Sequence, residues 1–162
     1  MESFNYDSNG SVTKEIRILE KYSSQHHRII QMIDTFQLVY DEDRRLFLFG
    51  YTMEPLVCSL DKLVESNKID IQKCMIRITE QLIEMTYQLH LGKVLHMDIK
   101  VDNIGVRSIN PLELVLLDFG ASEEIIESEK NRAWRTVGTA AYYSLLSETK
   151  PRLSYNDDLE TV

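Results

Sequence analysis

The sequence predicts an α+β fold, and three patterns predict it. Near the N-terminus, apolar residues at helical spacing are followed by two strand-like runs separated by a polar turn. In the middle, a single apolar stripe at helical spacing runs from Ile71 to Leu89. Beyond it come the short apolar runs Val94-Leu95, followed by a stretch rich in Asp, Asn and Lys, and Leu114 to Leu117, followed by Asp118.

Each element follows from its residues. Residues 1–10 are polar and turn-rich, and are expected to form a flexible N-terminus. Ser11 is placed to cap a helix reaching about Ser23, with Val12, Ile16, Leu19 and Tyr22 along one face. Ile29 to Tyr40 reads as a strand, Asp41 to Arg44 as a turn and Leu46 to Tyr51 as a second strand, together an antiparallel hairpin. Ser59 is expected to cap a short helix through Glu65, with Leu60, Leu63 and Val64 turned inward. Asp70 can cap the long helix that follows. Its stripe is Ile71, Met75, Ile78, Leu82, Met85 and Leu89, read as core, and Gly92 is expected to end it. The pair His26-His27 invites a metal reading, but no further ligand stands at suitable spacing, so none is assigned.

Bulk properties narrow the function. A chain of 162 residues suits one domain with a real core. With 18 Lys and Arg against 26 Asp and Glu, the net charge of −8 argues against nucleic acid as the main partner, because phosphate binding rewards a basic face. No apolar run is long enough to span a bilayer, and the N-terminus lacks the charged and apolar regions of a signal peptide. Cys58 and Cys74 lack metal-type spacing and read as reduced, buried thiols. These features predict a soluble intracellular protein, cytoplasmic or nuclear, with no membrane partner.

The chemistry concentrates between Val94 and Gly120. His96-Met97-Asp98-Ile99-Lys100-Val101-Asp102-Asn103 fits H-x-D-x-K-x-x-N, and Asp118-Phe119-Gly120 is D-F-G. The two motifs occur in this order with a hairpin's worth of residues between them, and each follows apolar strand-like residues. Either alone also reads as an Asp/Asn turn beside a buried strand. In tandem they resemble the catalytic-loop and metal-binding signatures of protein kinases.

The resemblance implies a protein-kinase-like two-lobed fold, here truncated at both ends. Residues 11–51 would be part of the small lobe, 52–58 the hinge and 59–162 part of a mainly helical large lobe. It implies ATP and Mg²⁺ as cofactors and a protein substrate or protein partner. Phosphoryl transfer needs positioning and charge neutralisation more than covalent chemistry. Asp98 would be the base that orients the attacking hydroxyl, and Lys100 would stabilise the transferring phosphoryl group. Asn103 and Asp118, hard oxygen donors, would hold the metal and through it the nucleotide phosphates. His96 would be structural. Phe119 and Gly120 would open an activation segment that Gly138-Thr139-Ala140-Ala141-Tyr142 closes, with the Thr139 hydroxyl able to bond Asp98. Lys100 and Thr139 at these places imply a Ser/Thr kinase. Glu15 would be the ion-pairing acid of the regulatory helix; it reads equally as a solvent-facing glutamate on an amphipathic helix. Asp157-Asp158-Leu159-Glu160 resembles the casein kinase 1 group, with Asp158 a buried anchor for the catalytic-loop backbone.

Three departures bear on activity. Met97 stands where the family has Arg, which argues against control by an activation-loop phosphate. The fourteen residues before Glu15 hold neither a Gly-rich loop nor the strand Lys that pairs with the helix glutamate, and Lys14 is wrongly placed, so Glu15 has no recognisable partner. The chain stops at Val162, which is expected to leave Ile78, Leu89 and their neighbours as an exposed apolar patch. Two readings follow: a Ser/Thr kinase transferring phosphoryl from ATP to protein hydroxyls, or a catalytically inactive kinase-like binding module or truncated kinase fragment.

Overall fold

A computed structural model describes residues 11–41, 46–125 and 155–159. The chain is α+β, with helices packed against short antiparallel sheets. Helix α1 (Ser11–Tyr22) buries Glu15, Ile18, Leu19 and Tyr22. Strands β1 (Met32–Asp41) and β2 (Leu46–Met53) then form the expected antiparallel hairpin, with Phe36 opposite Gly50 and Thr35 opposite Tyr51. The phenyl ring of Phe36 lies where a side chain on Gly50 would go, 2.6 Å from an added Cβ, so any larger residue at 50 would require the ring to shift.

The first strand starts three residues later than its apolar pattern suggests. Ile29 instead bridges Leu116 in parallel, and Ile30 donates its N–H to the Leu116 carbonyl at 3.1 Å. Both isoleucines are buried there, so burial against a distant strand outcompetes continuation of the local one. The expected turn lies outside the described residues, apart from Asp41, which is still strand. Residues 1–10 also lie outside them.

Strand β3 (Cys58–Ser59) leads into α2 (Leu60–Glu65), with Leu60 and Leu63 buried but Val64 exposed. Ser59 occupies the position before α2 in extended conformation but makes no side-chain capping bond. Asp70 does cap α3 (Ile71–Leu91), accepting the Lys73 N–H at 3.3 Å. Ile78, Met85 and Leu89 of the apolar stripe are buried, Ile71 and Leu82 half-buried, and Met75 is 50% exposed. The expected bare patch therefore forms at apolar neighbours on α3 but not at Ile78 and Leu89. They pack into the core, while Ile76, Ile83, Tyr87 and Leu91 lie on the exposed side of α3. Gly92 ends α3 with a right-handed φ of −76°, and it is Lys93 that turns left-handed at φ 59°. What Gly92 provides is clearance: an added Cβ would meet the Tyr22 ring at 2.8 Å, and the Tyr22 hydroxyl donates to the Gly92 carbonyl at 2.9 Å. That contact joins the ends of α1 and α3.

Strand β4 (Val94–Leu95), a 3₁₀ turn (Val101–Asn103), β5 (Ile104–Ile109), β6 (Leu112–Leu116) and β7 (Glu123–Glu124) follow. The sheets are β3-β5-β6 and β4-β7, all antiparallel. Gln81, a polar residue of α3, docks on β6 as a surrogate strand: its amide donates to the Leu112 carbonyl at 3.1 Å and accepts the Leu114 N–H at 2.9 Å. Helix α4 (Tyr155–Leu159) lies against α3 and β4. One apolar core runs from Ile18 and Leu19 of α1 through Met85 and Leu89 of α3 to Leu114, Leu116 and Phe119. Both cysteines are free and half-buried rather than buried. No helix among the described residues is long and apolar enough to cross a membrane.

Candidate active site

The polar cluster forms where β4 and the β5-β6 hairpin meet, because two loops leave the core there. After β4, the chain turns sharply, with Met97 at φ 68°; after β6, Asp118 turns likewise at φ 58°. Left-handed backbone in non-glycine residues costs of order 1–3 kcal/mol and persists only where surroundings enforce it. At both places they do.

The first loop is held from beneath by Asp158 of α4, which is 1% exposed. Its carboxylate accepts the backbone N–H groups of His96 and Met97, each at 2.8 Å, and lies 3.1 Å from His90 Nε2. His96 is buried edge-on to the Phe119 ring, 5.0 Å between centroids. Its Nε2 donates to the Leu117 carbonyl at 2.9 Å while Nδ1 accepts the Asp98 N–H at 3.3 Å, which fixes one neutral tautomer. Burial holds its pKa below the usual histidine value despite the nearby Asp158. The buried Ser122 hydroxyl donates to the His96 carbonyl at 3.2 Å and closes the loop from the other side.

On this support Asp98, 8% exposed, presents its carboxylate at the edge of the core. Oδ2 receives the Lys100 ammonium at 2.7 Å and the Asn103 amide N–H at 2.9 Å. The same amide also donates to the Asp98 carbonyl at 2.9 Å. The hydrogen bond from Lys100 to Asp98 holds the lysine pKa above its ordinary range. Asn103 is linked to the second loop through its backbone, whose carbonyl accepts the Leu117 N–H at 2.9 Å. That bond sets the next residue, the exposed Asp118, beside Asn103, and Asp118 Oδ1 accepts the Gly120 N–H at 3.3 Å. Asp98, Lys100 and Asn103 are thus in direct contact, and Asp118 adjoins them. Thr139 and the rest of its motif lie outside the described residues.

The donor set fits a hard cation held jointly with a phosphate. No group of three or more His, Cys, Asp and Glu side chains among the described residues could cage a metal. With its amide nitrogen committed to Asp98, Asn103 can offer only its amide oxygen, and Asp118 a carboxylate. One or two such oxygens, completed by phosphate and water, is the coordination Mg²⁺ takes in nucleotide sites.

Glu15 departs from expectation. It is neither solvent-facing nor partnerless: at 6% exposure, Oε1 accepts the Tyr51 hydroxyl at 2.8 Å and the Phe119 N–H at 3.0 Å. Its burial could be read from the i, i+3, i+4 apolar neighbours, but a tyrosine partner on a strand leaves no mark in the sequence. Burial raises the Glu15 pKa, Asp118 adds to the rise, and the two hydrogen bonds oppose it. A carboxyl whose folded pKa is raised takes up protons on folding, so its contribution declines as pH rises from the unfolded value toward the folded one. Glu15→Gln removes that titration but keeps the acceptor. The melting temperature of the variant relative to the native protein should therefore be higher at pH 7.5 than at pH 4, as differential scanning fluorimetry would show; a gap independent of pH would contradict a charged, buried Glu15.

Two further groups tie the site to its frame. Arg107 on β5 grips the Glu54 carboxylate just past β2, with contacts of 2.9 and 2.5 Å, and donates to the His27 carbonyl at 2.8 Å. Partial burial works against the Glu54 carboxylate, but Arg107 and the Gln31 N–H outweigh it and hold its pKa below the usual range. Strand β7 is clamped to α1 by Lys14 on Glu123 at 2.5 Å and by Arg17 and Lys21 on Glu124 at 3.1 and 2.6 Å.

Comparison with known proteins gives the family. The protein kinase domain matches residues 2–147. A probable serine/threonine-protein kinase of Dictyostelium discoideum is 30% identical over 112 residues, covering 67% of this chain and 17% of its own length. A probable casein kinase I homolog of Encephalitozoon cuniculi is 32% identical over 124 residues, covering 72% of this chain and 40% of its own. Serine/threonine-protein kinase pakG of Dictyostelium discoideum is 29% identical over 147 residues, 90% of this chain and 12% of its own. The chain thus spans less than half the length of each of these relatives. With the domain matched over most of its length and the two motif loops meeting at one polar cluster, the chain belongs to the protein kinase family.

Proposed function

We propose that this chain carries the phosphoryl-transfer site of a protein Ser/Thr kinase, using ATP with Mg²⁺ and acting on protein hydroxyls. The observation that supports it best is the contact set at Asp98: one carboxylate oxygen shared by the Lys100 ammonium and the Asn103 amide, with Asp118 adjoining. In this reading Asp98 accepts the hydrogen bond of the substrate hydroxyl and takes its proton as attack proceeds. Lys100, tethered by Asp98, supplies positive charge where the transferring group gathers negative charge. Asn103 and Asp118 would hold Mg²⁺, which supplies charge neutralisation of the phosphates. Lys100 and Thr139 favour Ser/Thr over Tyr substrates. The Asp157 to Glu160 sequence, with the similarity to a casein kinase I homolog, favours a casein-kinase-1-like subfamily.

A second reading, a catalytically silent binding module, is favoured by Glu15. Among the described residues its carboxylate is satisfied by a hydroxyl and an N–H, where the family resemblance calls for a lysine. Thermal unfolding with and without Mg²⁺-ATP separates the two. A ligand at a hundredfold excess over Kd stabilises the folded state by about 2.7 kcal/mol. The kinase reading expects a metal-dependent rise in Tm that Asp118→Asn abolishes. A cooperative transition that Mg²⁺-ATP leaves in place would overturn it in favour of the binding module.

A further inference from the structure

Behind the polar cluster lies a second, buried tier that the proposed reaction does not touch. Glu15 comes from α1, Tyr51 from β2 and Phe119 from the loop after β6, and all three are almost fully buried, at 6%, 7% and 0% exposure. A single oxygen, Glu15 Oε1, accepts from both Tyr51 and the Phe119 backbone. Asp118, the residue before Phe119, has left-handed backbone and an exposed side chain. Its conformation is pinned on both sides: the Leu117 N–H is bonded to the Asn103 carbonyl, and the Phe119 N–H to Glu15. Without either bond, the backbone of Asp118 is free to relax from that strained region.

Tyr51 aims Glu15 at Phe119. A carboxylate has several acceptor sites and a flexible stem, and a buried one is costly unless its partners fix it. Among the described residues the Tyr51 hydroxyl is a side-chain donor to Glu15, and its rigid ring is buried between strand and helix. Burial first, and then the neighbouring carboxylate, push the phenol pKa well above its ordinary value, so Tyr51 stays a donor throughout the working pH range.

We propose that Tyr51 is a positioning residue: its hydroxyl orients Glu15, Glu15 holds the Phe119 N–H, and this relay sets the direction in which Asp118 presents its carboxylate. The last link rests on the reading of Asp118 as a metal ligand; the relay itself does not. Tyr51→Phe deletes one oxygen and keeps the ring, so the packing is retained.

The test is backbone amide exchange of the full chain, read residue by residue by NMR. Tyr51→Phe should speed exchange of the Phe119 amide about tenfold, the effect of losing roughly one hydrogen bond, while the Leu117 amide and those of Leu19 and Tyr22 keep their rates. Glu15→Ala should do the same or more, and Glu15→Gln, which keeps an acceptor, should restore protection. An unchanged Phe119 amide in Tyr51→Phe, or an equal acceleration at every amide, overturns the relay. In parallel, Mn²⁺ binding in the presence of ATP is titrated by its electron spin resonance signal. Several-fold weaker binding in Tyr51→Phe completes the proposal, and equal binding beside an exposed Phe119 amide refutes its last link. If the native chain binds no Mn²⁺-ATP, the kinase reading fails, and the amide data still decide whether Tyr51 acts through Glu15.

Discussion

Asp158→Ala is expected to cost roughly 3–5 kcal/mol of unfolding free energy, the scale for breaking a buried charged contact by removing one partner. The reason is where its hydrogen bonds go. Asp158 is 1% exposed, and its two oxygens accept the N–H groups of His96 and Met97 and face His90 Nε2. Alanine leaves the His96 and Met97 backbone donors without their acceptor, each costing about 1–3 kcal/mol where no other partner replaces it. It also removes the support that keeps Met97 at its left-handed φ of 68°. Asp158→Asn keeps one acceptor oxygen and should cost clearly less. Urea unfolding of both variants checks this, and a loss below about 1 kcal/mol for the alanine variant would show that the loop after β4 is held by something else.

Asp98→Asn carries the largest functional effect. The native carboxylate can take a proton and the amide cannot, while the two differ little in shape. On the kinase reading, transfer of phosphate to protein serine or threonine should fall by about 10²–10⁴-fold, the usual worth of a positioned general base. The variant should stay folded, because asparagine keeps an acceptor oxygen for the Asn103 amide while the Lys100 ammonium, 20% exposed, retains access to water. Turnover by radiolabelled phosphate transfer, measured beside Tm, separates the cases. Undiminished transfer in a folded Asp98→Asn variant would remove Asp98 from the base role. A folded native chain that binds Mg²⁺-ATP but transfers nothing would point to the silent module.

Much of this protein is legible along the chain because it rests on short-range patterns. The stripe from Ile71 to Leu89 reads as a helix face turned to the core, and Asp70 as a cap, because both follow from helix geometry alone. The hairpin follows from two apolar runs and a polar break. The two motif loops stand out as candidates because only a few residue types can hold a hard cation or take a hydroxyl proton. The start of β1 differs from its apolar pattern for the opposite reason: Ile29 and Ile30 have strand-like side chains, yet their partner is Leu116, far along the chain. The same holds for Ile78 and Leu89, expected bare but covered by the core.

The amino-acid sequence by itself determined the family, the order of α1, the β1-β2 hairpin, α2 and α3, and the choice of Asp98, Lys100, Asn103 and Asp118 as candidates for the chemistry. Local periodicity and residue chemistry are properties of neighbours in the chain, and they survive without a fold. Only the tertiary structure decided that Glu15 meets Tyr51 and Phe119, that Gly92 makes room for Tyr22, and that Gln81 completes a strand edge. Each of those contacts joins residues dozens of positions apart, and no spacing rule encodes them. They exist because burying a polar group requires a partner, and packing alone selects which one comes within reach.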